Sequence, residues 1–116
     1  MRRSRRLTLS AHGAVEAVSG MVIMLSPIVL PVSAAGLIVL GLLGALVTGS
    51  GLGVIVPSRR DSVAAHTGID GALVLASAAG ALALALAGQA PAAIALSALV
   101  AVQASLSFVT SYATAS

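Results

Sequence analysis

Two histidines and two carboxylates are the residues of this chain whose types and spacing could do chemistry. His12 precedes Glu16 by four residues, and His66 precedes Asp70 by four; the sequence has no other histidine and one other acid, Asp61. Residues four apart share a face of an α-helix, so each pair should present its imidazole and carboxylate to the same side. Imidazoles and carboxylates are side chains that bind metal ions or transfer protons.

The two pairs belong to an internal repeat with a spacing of 54 residues. Each copy reads two arginines, five residues, a histidine, three residues and a carboxylate, and then continues as apolar sequence. The first copy begins at Arg5 and the second at Arg59. If both copies start on the same side of a membrane, the repeat predicts two units related by an axis along the membrane normal.

The composition places these pairs in a membrane protein. The 116 residues are 59% hydrophobic and 8% charged, whereas a soluble domain carries about 25% charged residues. No acidic or basic side chain other than histidine occurs in 17–58 or 71–116, and each block can hold two spans of about 20 residues. Backbone in lipid must satisfy its own hydrogen bonds, and the alternation of a barrel strand is absent. The sequence therefore predicts an all-α membrane protein with four transmembrane helices, arranged as two parallel two-helix hairpin repeats.

The arginines predict the orientation of the chain. All six lie in two clusters, one at the N-terminus and one at 59–60, and such residues favour the cytoplasmic side. Both termini and the central loop are therefore expected in the cytoplasm, and the Ala- and Gly-rich, Lys-free composition indicates a bacterial cytoplasmic membrane. The predicted segments are a basic arm at 1–10, hairpin repeat 1 at 11–56, a cytoplasmic loop at 57–62 and hairpin repeat 2 at 63–116. The predicted spans are 11–30, 33–56, 63–87 and 92–112.

Local signals refine these spans. Pro27 is expected to end the first helix and Pro91 to start the fourth. Ser58 followed by Asp61 resembles a capping box at the start of the third helix. Phe108 and Tyr112 fit a membrane interface at the end of the fourth span.

Small and polar side chains predict how the helices pack. The glycines of the second span should permit close approach of backbones. Ser97, Ala101 and Ser105 recur every four residues in the fourth span and form a small-residue face. Gln103, deep in the same span, is expected to face the bundle and bond to a neighbour, either as structural support or as a ligand contact.

The four ionisable side chains would meet below the cytoplasmic surface if helices 1 and 3 pack at the centre. In a structural interpretation, each histidine pairs with a carboxylate, within its helix or across the axis, and holds the hairpins in register. In a metal interpretation, His12, Glu16, His66 and Asp70 bind zinc or iron. In a transport interpretation, the carboxylates exchange protons with a substrate. Haem ligation is disfavoured, since the sequence has one Phe, one Tyr and no Trp.

The chain resembles small actinobacterial four-span proteins with an SPW-type repeat. Ser26 and Pro27 match the motif, Ile28 stands in the place of its Trp, and the second repeat has no Ser-Pro. The elements from His12 and His66 to their acids are similar to the start of each hairpin in that group. The resemblance implies paired two-span units and no established activity. Small multidrug-resistance exporters also have four spans and a Glu in the first, but this chain lacks the aromatic residues with which they bind cationic drugs.

These features predict a non-enzymatic integral membrane protein with a structural or accessory role. Its expected partners are the lipid bilayer and, through small-residue helix faces, a second copy or a larger membrane complex. No cofactor motif or nucleophile–base pair is visible. The net charge of +3 comes from arginines beside the spans, so a nucleic-acid partner is not expected. The alternative is a proton-coupled or metal transporter that uses Glu16, Asp70, His12 and His66.

Overall fold

Four α-helices make up most of residues 7–56 and 63–110, the part of the chain that the structure describes. In this computed structural model the helices are α1 (Leu9–Leu25), α2 (Ala34–Ile55), α3 (Val63–Leu86) and α4 (Ala90–Val109), and a 3-10 turn (Ser26–Ile28) follows α1. With that turn added to α1, all four are long and apolar enough to cross a membrane. The predicted all-α fold with four spans is confirmed.

The helix ends follow from capping residues and prolines. The side-chain oxygens of Thr8 and Ser33 cap α1 and α2 by accepting backbone N–H groups of the first turn. Pro27 lies in the 3-10 turn that ends α1, and Pro91 lies at the start of α4, as predicted. At Gly88 the backbone adopts a φ of 79° between α3 and α4, a conformation that glycine reaches without strain.

Three sequence predictions fall outside the described residues. They are the basic arm up to residue 6, the capping box of Ser58 and Asp61 in the loop 57–62, and the interfacial position of Tyr112. Phe108 lies within the described part of α4, and its side chain is strongly exposed.

The helices form a bundle in which α1 packs mainly on α2, and α3 packs mainly on α4. Contacts of α2 with α3 and of α1 with α4 close the bundle. Helices α1 and α3 therefore lie diagonally opposite each other. The sequence left open whether these two helices pack together at the centre of the bundle. Long side chains from α1 and α3 still reach each other across the bundle. Apolar side chains fill the remaining core, including Leu40, Val47, Leu73, Leu84 and Leu96.

Glycines bring α1 and α2 into close contact. A Cβ atom built on Gly44 would lie 2.7 Å from the carbonyl oxygen of Gly20, and one built on Gly51 would lie 2.6 Å from the backbone nitrogen of Ala17. Real Cβ atoms essentially never approach that closely, so this packing requires glycine. Gly44 and Gly51 of α2 therefore permit close backbone approach, as predicted, and Gly20 on α1 does the same.

The outside of the bundle is apolar. Large side chains exposed on it come from all four helices and include Val22, Ile38, Leu75, Leu82 and Ile94. A surface of this kind suits contact with lipid. The described fold is therefore that of a multi-pass membrane protein.

Candidate functional site

Four ionisable side chains meet inside the bundle near one of its ends. His12 and Glu16 come from the first turns of α1, and His66 and Asp70 come from the first turns of α3. Each pair lies on one helix face because its members are four residues apart. All four residues are at most 3% exposed. We refer to them together as the polar cluster.

Nitrogen–oxygen contacts in the polar cluster run both across the bundle and within each helix. The shortest crosses the bundle, from Nε2 of His12 to Oδ2 of Asp70, at 2.8 Å. The other crossing contact joins Nε2 of His66 to Oε1 of Glu16 at 3.3 Å. Within the helices, His12 lies 3.8 Å from Glu16, and His66 lies 3.3 Å from Asp70. Both pairings left open by the sequence are therefore present.

Two hydroxyl groups extend the polar cluster to the remaining helices. Nδ1 of His12 lies 2.8 Å from Oγ1 of Thr110, at the end of α4. Nδ1 of His66 lies 3.4 Å from Oγ of Ser50 on α2, and this hydroxyl also lies 3.3 Å from Oδ1 of Asp70. Neither Ser50 nor Thr110 was singled out from the sequence as a site residue. Their part in the site depends on how far α2 and α4 slide past α1 and α3, which no local sequence pattern encodes.

The hydroxyls set the protonation pattern of the histidine rings. Thr110 donates its proton to the carbonyl oxygen of Leu106, so its oxygen accepts from the Nδ1–H of one histidine. Ser50 donates to Asp70 and accepts from the Nδ1–H of the other. In a neutral ring, Nε2 then presents a lone pair to the carboxylates. Two facing lone pairs repel, so the centre of the polar cluster requires protons, on the rings or on the carboxyl groups, or a metal ion.

The polar cluster has the ligand types and spacing of a metal site. Each of its residues offers one ligand atom, and these four atoms all lie within 4.8 Å of one another. Imidazole nitrogens and carboxylate oxygens are ordinary ligands of zinc and of other transition metals. The arrangement can therefore hold protons shared between rings and carboxylates, or one metal ion.

Gln103 lies deeper in the bundle than the polar cluster. Its side chain is 2% exposed and faces inward, seven residues before Thr110 on the same face of α4. Neither of its amide atoms has a hydrogen-bond partner among the described residues, so the predicted bond to a neighbour is not seen there. Ser77 occupies the matching position on α3, seven residues after Asp70, and its buried hydroxyl also has no such partner.

Comparison of the chain with protein-family models, curated proteins and solved structures finds no match. The resemblance to SPW-type proteins therefore stays a prediction. The class of protein is therefore defined by the fold and the site alone. This is a four-helix, multi-pass membrane protein with a histidine–carboxylate cluster buried between its helices.

Proposed function

We propose that this protein has a structural or accessory role in the membrane, and that the polar cluster holds its two hairpins in register. The observation that carries the proposal is that every helix contributes to the cluster or to its hydroxyl partners. His12 on α1 contacts α3 and α4, and His66 on α3 contacts α1 and α2. Each histidine thereby bridges from its own hairpin to both helices of the other.

In a membrane, a polar contact of this kind can select one arrangement of the helices over others. Lipid tails are as apolar as leucine side chains, so burial of apolar surface gives little drive for one helix arrangement over another. A buried polar network disfavours slipped arrangements, because sliding would leave its members without partners. The polar cluster is therefore suited to select one register between the hairpins.

The internal repeat is part of this proposal. In each hairpin the first helix carries a histidine and an acid four residues later. Each histidine also directs Nδ1 to a hydroxyl at the end of, or within, the second helix of the other hairpin. This chemical correspondence supports two related units, although Ser50 and Thr110 do not occupy equivalent sequence positions.

The variant Glu16→Gln tests the structural role. It keeps the size of the side chain and removes the negative charge that faces His66, so we expect a lower midpoint of unfolding in detergent. The measurement is loss of helical circular dichroism during titration with a denaturing detergent. Ser77→Ala, on the inward face of α3 and outside the polar cluster, is the matched control. An unchanged midpoint in Glu16→Gln would contradict the structural role.

A proton-coupled or metal transporter is the second candidate. Ser77 and Gln103 favour it, because both are buried polar residues on the faces that carry Asp70 and Thr110, about 10 Å further along their helices. Buried polar side chains within spans often mark the route of an ion. The polar cluster and these two residues would then be successive positions along one path.

Reconstitution into liposomes separates the two candidates. A transporter would move protons or zinc across the bilayer, as followed by a trapped pH- or zinc-sensitive dye. Its Glu16→Gln and Asp70→Asn variants would keep the fold and lose flux. A structural protein would give no flux in the unsubstituted form, and the same variants would be less stable.

Outward small-residue faces support association with a second copy or a larger membrane complex. On α2, no atom lies within 4 Å of a Cβ built on Gly41 or Gly49, and Ala45 between them is exposed. On α4 the predicted face points outward as well; its exposed residues are Ser97, Ala101 and Ser105. Small residues spaced by four are typical of helix–helix contacts in lipid.

We expect Ala45→Leu and Ala101→Leu to reduce association without unfolding the chain, because both positions are exposed. The measurement is the mass of the protein in mild detergent and its crosslinking in native membranes. Ala76→Leu, at an exposed position of α3, is the control. A strictly monomeric protein that copurifies with no partner would contradict this part of the proposal.

The proposed location is the bacterial cytoplasmic membrane, with both termini and the loop 57–62 on the cytoplasmic side. The six arginines of the arm and loop support this orientation. Carboxyl-terminal fusions to a fluorescent protein and to a periplasmic phosphatase test it. Phosphatase activity in the second fusion would show that the carboxyl terminus lies outside the cytoplasm and would contradict the proposed orientation.

A further inference from the structure

Two atoms of the polar cluster face each other without making a hydrogen bond. Oε1 of Glu16 and Nε2 of His66 lie 3.3 Å apart, and neither has a hydrogen-bond partner among the described residues. Both side chains are almost completely buried. Unpaired polar atoms in such surroundings are destabilising, and an ion bound between them would satisfy both.

Four of the six spacings between the ligand atoms of the cluster lie near those of tetrahedral coordination, and all six are within 4.8 Å. The four nitrogen–oxygen distances are 2.8, 3.3, 3.3 and 3.8 Å. Zinc binds histidine nitrogen and carboxylate oxygen at about 2.0–2.2 Å, so neighbouring ligand atoms in a tetrahedral site are about 3.3–3.6 Å apart. The contacts of 2.8 and 3.8 Å lie outside this range, and shifts of up to about half an ångström would bring both into it.

The histidine rings are already oriented for metal binding. Thr110 and Ser50 accept from Nδ1 of His12 and His66, so that Nε2 of each ring is directed at the carboxylates. Metal-bound histidines almost always have their second ring nitrogen held by a hydrogen bond of this kind. The two hydroxyls therefore act as positioning groups for the ligand atoms.

Charge balance selects a divalent ion. The carboxylates of Glu16 and Asp70 together carry two negative charges, and two neutral imidazoles add none, so a divalent ion makes the buried site neutral. An unbalanced charge at this depth would be strongly unfavourable. Magnesium and calcium prefer sites made of oxygen ligands alone, whereas two nitrogens and two oxygens suit zinc and related transition metals.

We propose that the polar cluster binds one divalent transition-metal ion of the zinc type in tetrahedral coordination. The ligand atoms are Nε2 of His12, Nε2 of His66 and one carboxylate oxygen each from Glu16 and Asp70. This site goes beyond the proposed structural role, since ion pairs alone would also connect the hairpins. A bound ion would add metal–ligand bonds to the existing contacts between α1 and α3.

Cobalt(II) titration of the full chain tests the site. The protein is purified in mild detergent without a histidine tag, treated with a chelator and titrated with cobalt(II), whose four-coordinate complexes absorb visible light far more strongly than six-coordinate ones. We expect one cobalt per chain with the strong spectrum, and full displacement by one equivalent of zinc. No stoichiometric uptake, or a weak six-coordinate spectrum, would overturn the proposal.

Matched variants locate the ion. Glu16→Gln and His66→Gln should lose the strong spectrum, whereas Ser77→Ala, on the same face of α3 as His66, should keep it. Thr110→Val should keep the spectrum and weaken binding by roughly 10- to 100-fold, because it removes the group that positions His12. A spectrum unchanged in Glu16→Gln and His66→Gln would place the metal elsewhere and reject the site.

Thermal unfolding of the unsubstituted protein tests the metal site even if a variant of a ligand residue misfolds. Zinc should raise the unfolding midpoint of the unsubstituted protein and of Ser77→Ala, because an ion that binds the native state stabilises it. An unchanged midpoint in the unsubstituted protein would reject the site. If that protein binds no metal while Glu16→Gln is still destabilised, the metal site is rejected and the structural role of the polar cluster stands.

Discussion

Replacement of Asp70 by alanine is expected to lower the free energy of unfolding by about 3–5 kcal/mol. The carboxylate of Asp70 lies 2.8 Å from Nε2 of His12 and 3.3 Å from Nε2 of His66, and it accepts a hydrogen bond from Ser50. Its loss removes a hydrogen-bond partner from His12 and from Ser50, and the contacting carboxylate from His66. Reversible unfolding in mixed detergent micelles, followed by circular dichroism, measures the change.

Ser77→Ala is the control for this prediction. Ser77 lies on the same face of α3 as Asp70 and is fully buried, and its hydroxyl has no hydrogen-bond partner among the described residues. Its removal should therefore be nearly neutral. Equal losses in Ser77→Ala and Asp70→Ala would mean that the polar cluster has no special role in stability.

A double-mutant cycle with His12 isolates the contact that crosses the bundle. His12→Ala and Asp70→Ala each break it, so the double variant should lose much less stability than the two single losses added together. Simple additivity would show that the two side chains do not interact energetically.

Gly51→Ala is the second substitution with a large expected effect, a loss of about 3 kcal/mol. The added methyl group would meet the backbone of α1 at Gly13 and at Ala17, whose nitrogen would lie only 2.6 Å away. Backbone atoms do not move aside as the end of a flexible side chain does, so α1 and α2 must separate. The same unfolding assay measures the loss.

Gly49→Ala is a closely matched control, two residues away on the same helix. No atom lies within 4 Å of a Cβ built on Gly49, and alanine favours helix over glycine by about 1 kcal/mol in water. Its stability should be unchanged or slightly higher. If Gly49→Ala were as destabilising as Gly51→Ala, the effect would come from helix propensity and not from the contact with α1.

The four helices could be predicted because the chain offers long stretches without acidic or basic side chains, and lipid leaves few alternatives to helix. The end of the first helix was less predictable. It was expected near Leu30, but α1 ends at Leu25 and a 3-10 turn follows. Pro27 lacks the N–H of a regular helix, and sequence alone does not say how many residues before it the helix stops.

Only the two histidine–carboxylate pairs of the candidate site could be predicted from the sequence. The spacing of His12 from Glu16, and of His66 from Asp70, is a local property that any helix preserves. The participation of Ser50 and Thr110 depends on how far α2 and α4 slide past their neighbours. That register comes from packing, such as the contact of Gly51 with α1, and no local sequence pattern encodes it.

The contact between His12 and Thr110 has a consequence for how the protein is made. The two residues are 98 positions apart, and the other close partner of His12, Asp70, is 58 positions away. During translation the first helix therefore enters the bilayer well before either partner has left the ribosome. Its histidine and glutamate must be sheltered by the insertion machinery or by water near the surface until the last helix arrives. A chain interrupted before that point would leave these polar groups unmatched in lipid, which is energetically costly.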